Sequence, residues 1–265
     1  MNLAKCVQTR SVRLNESVLK TLGDWSRKMM FFGFGATDIG NQRERNEDAF
    51  LVENEAGWFA VADGVGGSAG GHIACKLAIE EFKQRMTEEG NGLTDESGQR
   101  VLRGINNAIV DYGLTHLSTP NLATTFTAFV IKNDHQGYLL HAGDSRLYGF
   151  HEERGLMPLT QEHTLANEKR KQGQDFVDVE SENVLVNCMG NFSMIWSEYR
   201  QIDLANYDAF LICTDGLNKM VPQPRLDQIM RGSWREPKAC VTRLIDMALQ
   251  LGGFDNVTAI VIKRQ

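Results

Sequence analysis

Residues 58–67 read Trp58-Phe-Ala-Val-Ala-Asp63-Gly-Val-Gly-Gly67, an apolar run of strand character that ends in an acid and turns through glycines into a helical pattern starting near Gly71. An Asp at the end of a buried strand must be paired, hydrogen-bonded or bound to a metal, because an uncompensated buried charge costs several kcal/mol. The arrangement recurs. Tyr138 to Asp144 is an apolar run ending in an acid, Ala209 to Asp215 is another, and Asp255-Asn256 immediately precedes the apolar run Val257 to Ile262. If these strand ends meet, two carboxylates about 4 Å apart repel by roughly 4 kcal/mol at an effective dielectric near 20. No single Lys or Arg neutralises them all, whereas divalent cations do. Hard oxygen donors suit Mg²⁺ or Mn²⁺, and the Cys and His of a zinc site are missing from these positions.

Working outward, the chain of 265 residues with 42% hydrophobic content is long enough for one large domain with a substantial core. Residues 1–30 stand apart as an N-terminal extension, helical or partly disordered, in which Val12, Leu14, Val18, Leu19, Leu22 and Trp25 fall at roughly helical spacing between Lys and Arg. From Phe31 to the end the pattern is that of a single domain. Strands are expected at 31–37, 49–53, 58–62, 124–132, 137–142, 146–151, 197–204, 208–214 and 256–263, and helices at 71–89, 95–116, 161–172, 224–231 and 236–251, with 173–183 as an exposed flap. Strands and helix pairs are grouped instead of alternating singly. That argues against a doubly wound parallel sheet and for an α+β fold of two antiparallel sheets flanked by helices.

The net charge of −6 offers no electrostatic footprint for nucleic acid or an anionic membrane. No run approaches the 18 or so apolar residues that span a bilayer. The five cysteines are scattered without a CxxC pair, which reads as reduced thiols and a cytoplasmic protein. A monomer is expected.

Upstream of the first acidic strand lies Arg43-Glu-Arg-Asn-Glu47-Asp48, where a guanidinium able to grip a phosphate bidentately sits beside further hard ligands. Together these stretches resemble the metal-dependent protein phosphatases, the type 2C Ser/Thr family (PPM), in its bacterial form. The resemblance rests on RERNEDAF (43–50), VADGVGG (61–67), ATTF (123–126), HAGDSRLY (141–148), LTQEHTL (159–165), ICTDGL (212–217) and GGFDNVTAIVI (252–262), in the family's order. It implies a four-layer αββα sandwich and a binuclear Mn²⁺ or Mg²⁺ centre. The implied reaction is hydrolysis of phosphoserine and phosphothreonine on a phosphorylated protein, reversing a Ser/Thr kinase.

Carried over by position, Asp63 would bridge the two ions, Asp215 and Asp255 would complete the first site, and Glu47 with the carbonyl of Gly64 would hold the second. Asp48 would bind metal-coordinated water, Arg43 would grip the phosphate, and Asp144 would help form a third, weaker ion site. Two cations sharing a water acidify it, so that hydroxide attacks in line without a covalent enzyme intermediate. Val65 stands where animal members carry a His proposed as general acid; Ser68, His72 and Ala123 are further departures. His141 and His163 read as structural histidines. A catalytically weak PPM-fold binding module is the alternative function. The string Gly64-Val-Gly66-Gly-Ser-Ala69 is a lone dinucleotide-like match that explains none of the other acids.

Overall fold

The computed structural model describes residues 31–65, 70–90, 93–117, 122–174, 176–190 and 198–265. The expected N-terminal extension at 1–30, Ser68 and most of the dinucleotide-like string lie outside them. In chain order the elements are β1 (Phe31–Asp38), β2 (Asp48–Glu53), β3 (Trp58–Asp63), α1 (Gly71–Glu89), α2 (Asp95–His116), β4 (Phe126–Ile131), β5 (Gln136–Ala142), β6 (Arg146–His151), β7 (Gly155–Pro158), α3 (Leu165–Lys171), β8 (Glu198–Asp203), β9 (Ala209–Cys213), α4 (Asp215–Asn218), α5 (Gln223–Ser233), α6 (Pro237–Gln250) and β10 (Val257–Arg264). Short 3-10 turns occupy Val179–Asn183 and Leu204–Asn206.

The strands form two five-stranded antiparallel sheets, ordered β1-β10-β9-β6-β7 and β2-β3-β4-β5-β8. Three apolar layers follow from the period-two alternation of the strands. Phe59, Phe129, Leu139, Leu147, Phe210, Ile212, Ile260 and Ile262 fill the space between the sheets. The opposite face of β3, β4 and β5 presents Ala60, Ala128 and Leu140 to Phe82, Leu102 and Ile105 of α1 and α2. On the other sheet Leu211, Ala259 and Val261 meet Met230, Leu244 and Ile245 of α5 and α6. This is the expected αββα sandwich.

Local chemistry explains several boundaries. α2 begins at Thr94, whose hydroxyl accepts from the Ser97 amide at 3.2 Å while the Ser97 hydroxyl accepts from the Thr94 amide at 2.8 Å, a reciprocal cap. The β4–β5 hairpin closes on Asn133, whose side-chain oxygen accepts from the His135 and Gln136 amides.

Two expectations are corrected. The stretch 161–172 is helical only over Leu165–Lys171, because Thr164 caps it, accepting from the Asn167 amide, and the backbone of His163 is drawn to Gly143 and Val186 instead. The strand Gly155–Pro158 was not foreseen: it is four residues long and ends in a proline, which an edge strand tolerates.

Candidate active site

The acids gather at one end of the sandwich because the strands that carry them finish there. β2 and β3 pair with Asp48 opposite Asp63, and Glu47 precedes them. Asp215 opens α4 directly after β9, and Asp255 stands two residues before β10. Asp144 lies in the turn from β5 to β6, where the chain passes from one sheet to the other. Gly143 makes that turn with φ +118°, and a Cβ there would sit 2.6 Å from Thr125. Gly64 is equally constrained: a Cβ would fall 2.5 Å from the backbone of Gly71.

Arg43, Glu47, Asp63, Gly64, Asp144, Asp215 and Asp255 line a single cleft of about 540 Å³, together with Val65, Thr125, Lys219, Met220 and Phe254 among others. Asp48 is buried behind it. The eight candidate site residues of the sequence, Arg43, Glu47, Asp48, Asp63, Gly64, Asp144, Asp215 and Asp255, are therefore brought together.

Five carboxylates share the cleft with two cationic side chains, Arg43 and Lys219. Arg43 pairs with Asp255 at 2.7 Å. Lys219 pairs with Asp215 at 2.7 Å and with Asp144 at 3.0 Å. Among the described residues no ion pair reaches Glu47 or Asp63. Removal from water, then the charges of Asp48, Asp215 and Asp144 and a hydrogen bond shared with Asp215, push the Asp63 carboxyl well above the usual carboxylate range.

Burial likewise lifts Asp48 to about 7, against the hydroxyls of Thr258 and Thr214, which donate to its Oδ2 at 2.6 and 2.8 Å. Its Oδ1 is buried with no hydrogen-bond partner among the described residues. Burial and Asp215 raise Asp144 to about 6, with Lys219 opposing. Crowded hard oxygens, an excess of negative charge and an orphaned carboxylate oxygen fit divalent metal ions.

The sequence reading missed the groups that hold these acids. The hydroxyl of Thr125 accepts from the Asp63 amide at 3.0 Å and meets the Ser145 hydroxyl at 2.8 Å, while the Thr125 amide and the Thr124 hydroxyl both donate to the Asp63 carbonyl at 2.8 Å. Asn256 accepts from the Glu47 amide and donates to the carbonyls of Ile39 and Arg45, tying the arginine-rich turn to the start of β10. The ATTF string and the Asp-Asn pair were the available signals. Nothing in the sequence marked Lys219 beyond its spacing of four from Asp215.

His141 and His163 behave as structural groups. His141 is buried between the Thr127 hydroxyl and the Gln161 carbonyl. His163 accepts from the Gly143 amide and Asn187 at the root of the flap. They approach Glu198 closely enough for a metal, but both His141 ring nitrogens and the His163 Nδ1 are already engaged. His72, in the first turn of α1, meets Arg45 at 3.1 Å.

Fold and cleft together define a two-sheet sandwich with an acidic mouth suited to divalent cations. The family follows from the sequence match: residues 35–250 fit the protein phosphatase 2C family, and the chain belongs to it. It is similar to the serine/threonine phosphatase stp of Listeria monocytogenes, 28% identical over 239 residues that cover 86% of this chain and 94% of the relative. The catalytic domain of the phosphatase PstP in complex with two manganese ions superposes with a TM-score of 0.77 at 25% identity, covering 88% of this chain and 97% of that one. Stp1 of Staphylococcus aureus shares the fold, with a TM-score of 0.79 at 22% identity over 98% of this chain and 100% of its own. Among the described residues no helix is long and apolar enough to cross a membrane.

Proposed function

We propose that the protein is a Mn²⁺- or Mg²⁺-dependent phosphoprotein phosphatase that hydrolyses phosphoserine and phosphothreonine, reversing a Ser/Thr kinase as a cytoplasmic monomer, with residues 31–265 as its phosphatase domain. The observation that carries this reading is the convergence of Glu47, Asp63, Asp215 and Asp255 in one cleft, short of counter-charge and lined also by Arg43. A binding module has no need of such repulsion, so the catalytically weak alternative is not favoured.

Asp63, at the centre of the cleft acids, would be the ligand common to two ions, with Asp215 and Asp255 serving one and Glu47 and the Gly64 carbonyl the other. Once bound, the ions lower the pKa of water so that a nucleophile exists near neutral pH, and they offset charge on the phosphoryl oxygens. Asp48, whose Oδ1 has no partner among the described residues, would orient the attacking water. Arg43, which pairs with Asp255, would turn to the phosphate, which its fork-shaped donor set matches. Val65 has no proton to give, so the leaving alkoxide must take its proton from water or from another group. The free thiols of Cys75, Cys188, Cys213 and Cys240 suit a reducing compartment.

The test is hydrolysis of phosphoserine and phosphothreonine peptides with Mn²⁺, Mg²⁺ or EDTA. Turnover is expected with either ion and none in EDTA; robust turnover in a fully chelated preparation would sink the reading.

A further inference from the structure

The carboxylate of Asp144 is buried, with its side chain 5% exposed, yet it ends beside the ammonium of a lysine and not in open solvent. Lys219 reaches it from the turn that carries Asp215. Its amide donates to the Asp215 carbonyl at 2.8 Å, and its Nζ stands 2.7 Å from Asp215 Oδ2 and 3.0 Å from Asp144 Oδ2. The two acids belong to different elements, the β5–β6 turn and the start of α4. A single side chain thus bridges them where a cation coordinated by both would lie.

We propose that the Lys219 ammonium is a built-in cation that takes the place of a divalent ion between Asp144 and Asp215, so that the cleft holds two divalent ions and is closed to a third at Asp144. The inference rests on the two-ion reading given above and goes beyond it. It replaces the expectation, drawn from family resemblance, that Asp144 supports a weak third ion.

Charge balance points the same way. Lys219 cancels Asp144 one for one. The remaining acids of the cleft, Glu47, Asp63, Asp215 and Asp255, carry four negative charges, which two divalent ions match, and Arg43 is left to meet the phosphoryl anion. A third divalent ion would leave the cleft with excess positive charge unless Lys219 withdrew. Withdrawal is disfavoured because the ammonium is tethered to the same turn as Asp215, so its effective concentration at the pair exceeds that of a free ion. An incoming Mg²⁺ would also have to give up water for only one or two carboxylates, which it does reluctantly. Lys219 is therefore a positioning residue: it fixes Asp144 and orients Asp215 toward the ion that Asp215 shares with Asp255.

The experiment is Mn²⁺ stoichiometry on the full chain, by equilibrium dialysis with metal analysis and by electron paramagnetic resonance, from micromolar to millimolar Mn²⁺. Wild type should saturate at two ions with no further uptake at millimolar Mn²⁺. Lys219→Met, which keeps the stem and removes the charge, should gain a third and weaker ion. That ion should be lost again in Lys219→Met combined with Asp144→Ala, whereas Lys219→Arg should stay at two. Unchanged circular dichroism confirms that each variant folds. A third ion in wild type that disappears with Asp144→Ala would overturn the inference, and so would a Lys219→Met variant that stops at two. A wild type that binds fewer than two ions would strike the two-ion centre itself and remove the premise.

Discussion

At the scale of the residue, the cleft concentrates like charge, and that governs how substitutions should behave. Asp63→Asn removes the carboxylate that faces Asp48, Asp144 and Asp215. Turnover should fall by ~10³-fold, about 4 kcal/mol of transition-state stabilisation, because on the proposed assignment both ions would lose their shared ligand. Metal-free Asp63→Asn should nevertheless melt at a higher temperature than metal-free wild type, since repulsion and the cost of burying charge are both relieved; a lower melting temperature in EDTA would contradict the electrostatic account. Arg43→Ala should act differently. A phosphate grip is felt in the ground state as well as the transition state, so KM should rise by about tenfold with a smaller change in kcat. Steady-state kinetics on one phosphopeptide separates the two.

The acids were legible because each borders an apolar run, Asp63, Asp144 and Asp215 at its end and Asp48 and Asp255 at its start, a pattern that needs a chemical reason. Thr125, Thr214 and Thr258 were not, since a threonine within a β-rich stretch is ordinary β-branched filling. Only the fold shows their hydroxyls turned onto Asp63 and Asp48.

At the scale of the element, what matters is how strand ends are pinned. β3 delivers Asp63 while the first residues before β4 hold its amide and carbonyl through Thr124 and Thr125. Thr125→Val preserves shape and strands the Ser145 hydroxyl and the Asp63 amide. It should lower stability by about 1–3 kcal/mol in denaturant titration and weaken Mn²⁺ binding without touching the ion. Undiminished Mn²⁺ affinity would mean that Asp63 is held by other contacts.

Element boundaries were readable where periodicity was long, as in α1, α2 and α6. They failed where a short or capped segment carried no period: β7, and the stretch of Gln161 to Thr164 whose charges suggested a longer helix. The order of strands within each sheet was not readable, because alternation tells a strand which face is buried but not which neighbour it meets.

At the scale of the molecule, acids from both sheets meet in one cleft, so ions bound there should stabilise the whole fold. At a free Mn²⁺ concentration a hundred times its dissociation constant the gain is about 2.7 kcal/mol, and EDTA should lower the melting temperature accordingly. Acid should act through the core. His141 faces Thr127 on β4, Glu198 on β8 and the His163 ring 4.7 Å away. Burial, then His163, lowers its pKa to about 3, and burial lowers that of His163 to about 4. Both stay neutral in the fold below pH ~6.5 while the unfolded chain takes up protons, so their contribution is whole above that pH and shrinks as the pH falls, by roughly 1.4 kcal/mol per histidine per unit. The cleft acids Asp48 and Asp144, with raised values, work in the opposite sense. The comparison should therefore set metal-free wild type against metal-free His141→Asn, in which they cancel: the variant should lose less stability between pH 7 and about 5.5, and parallel curves would exclude His141 as the cause.

The pairing of β1 with β10, and the reach of Arg43 to Asp255 across 212 residues of sequence, also set a clock. Joining such distant segments carries a large loop-closure cost, so this sheet edge should form after the local hairpins β2–β3 and β4–β5 have closed. Asp63 would then wait, already in place, for Asp255 to arrive. In refolding, Mn²⁺ capture should lag behind the burial of Trp58, and competence for chemistry would be the last property the chain acquires.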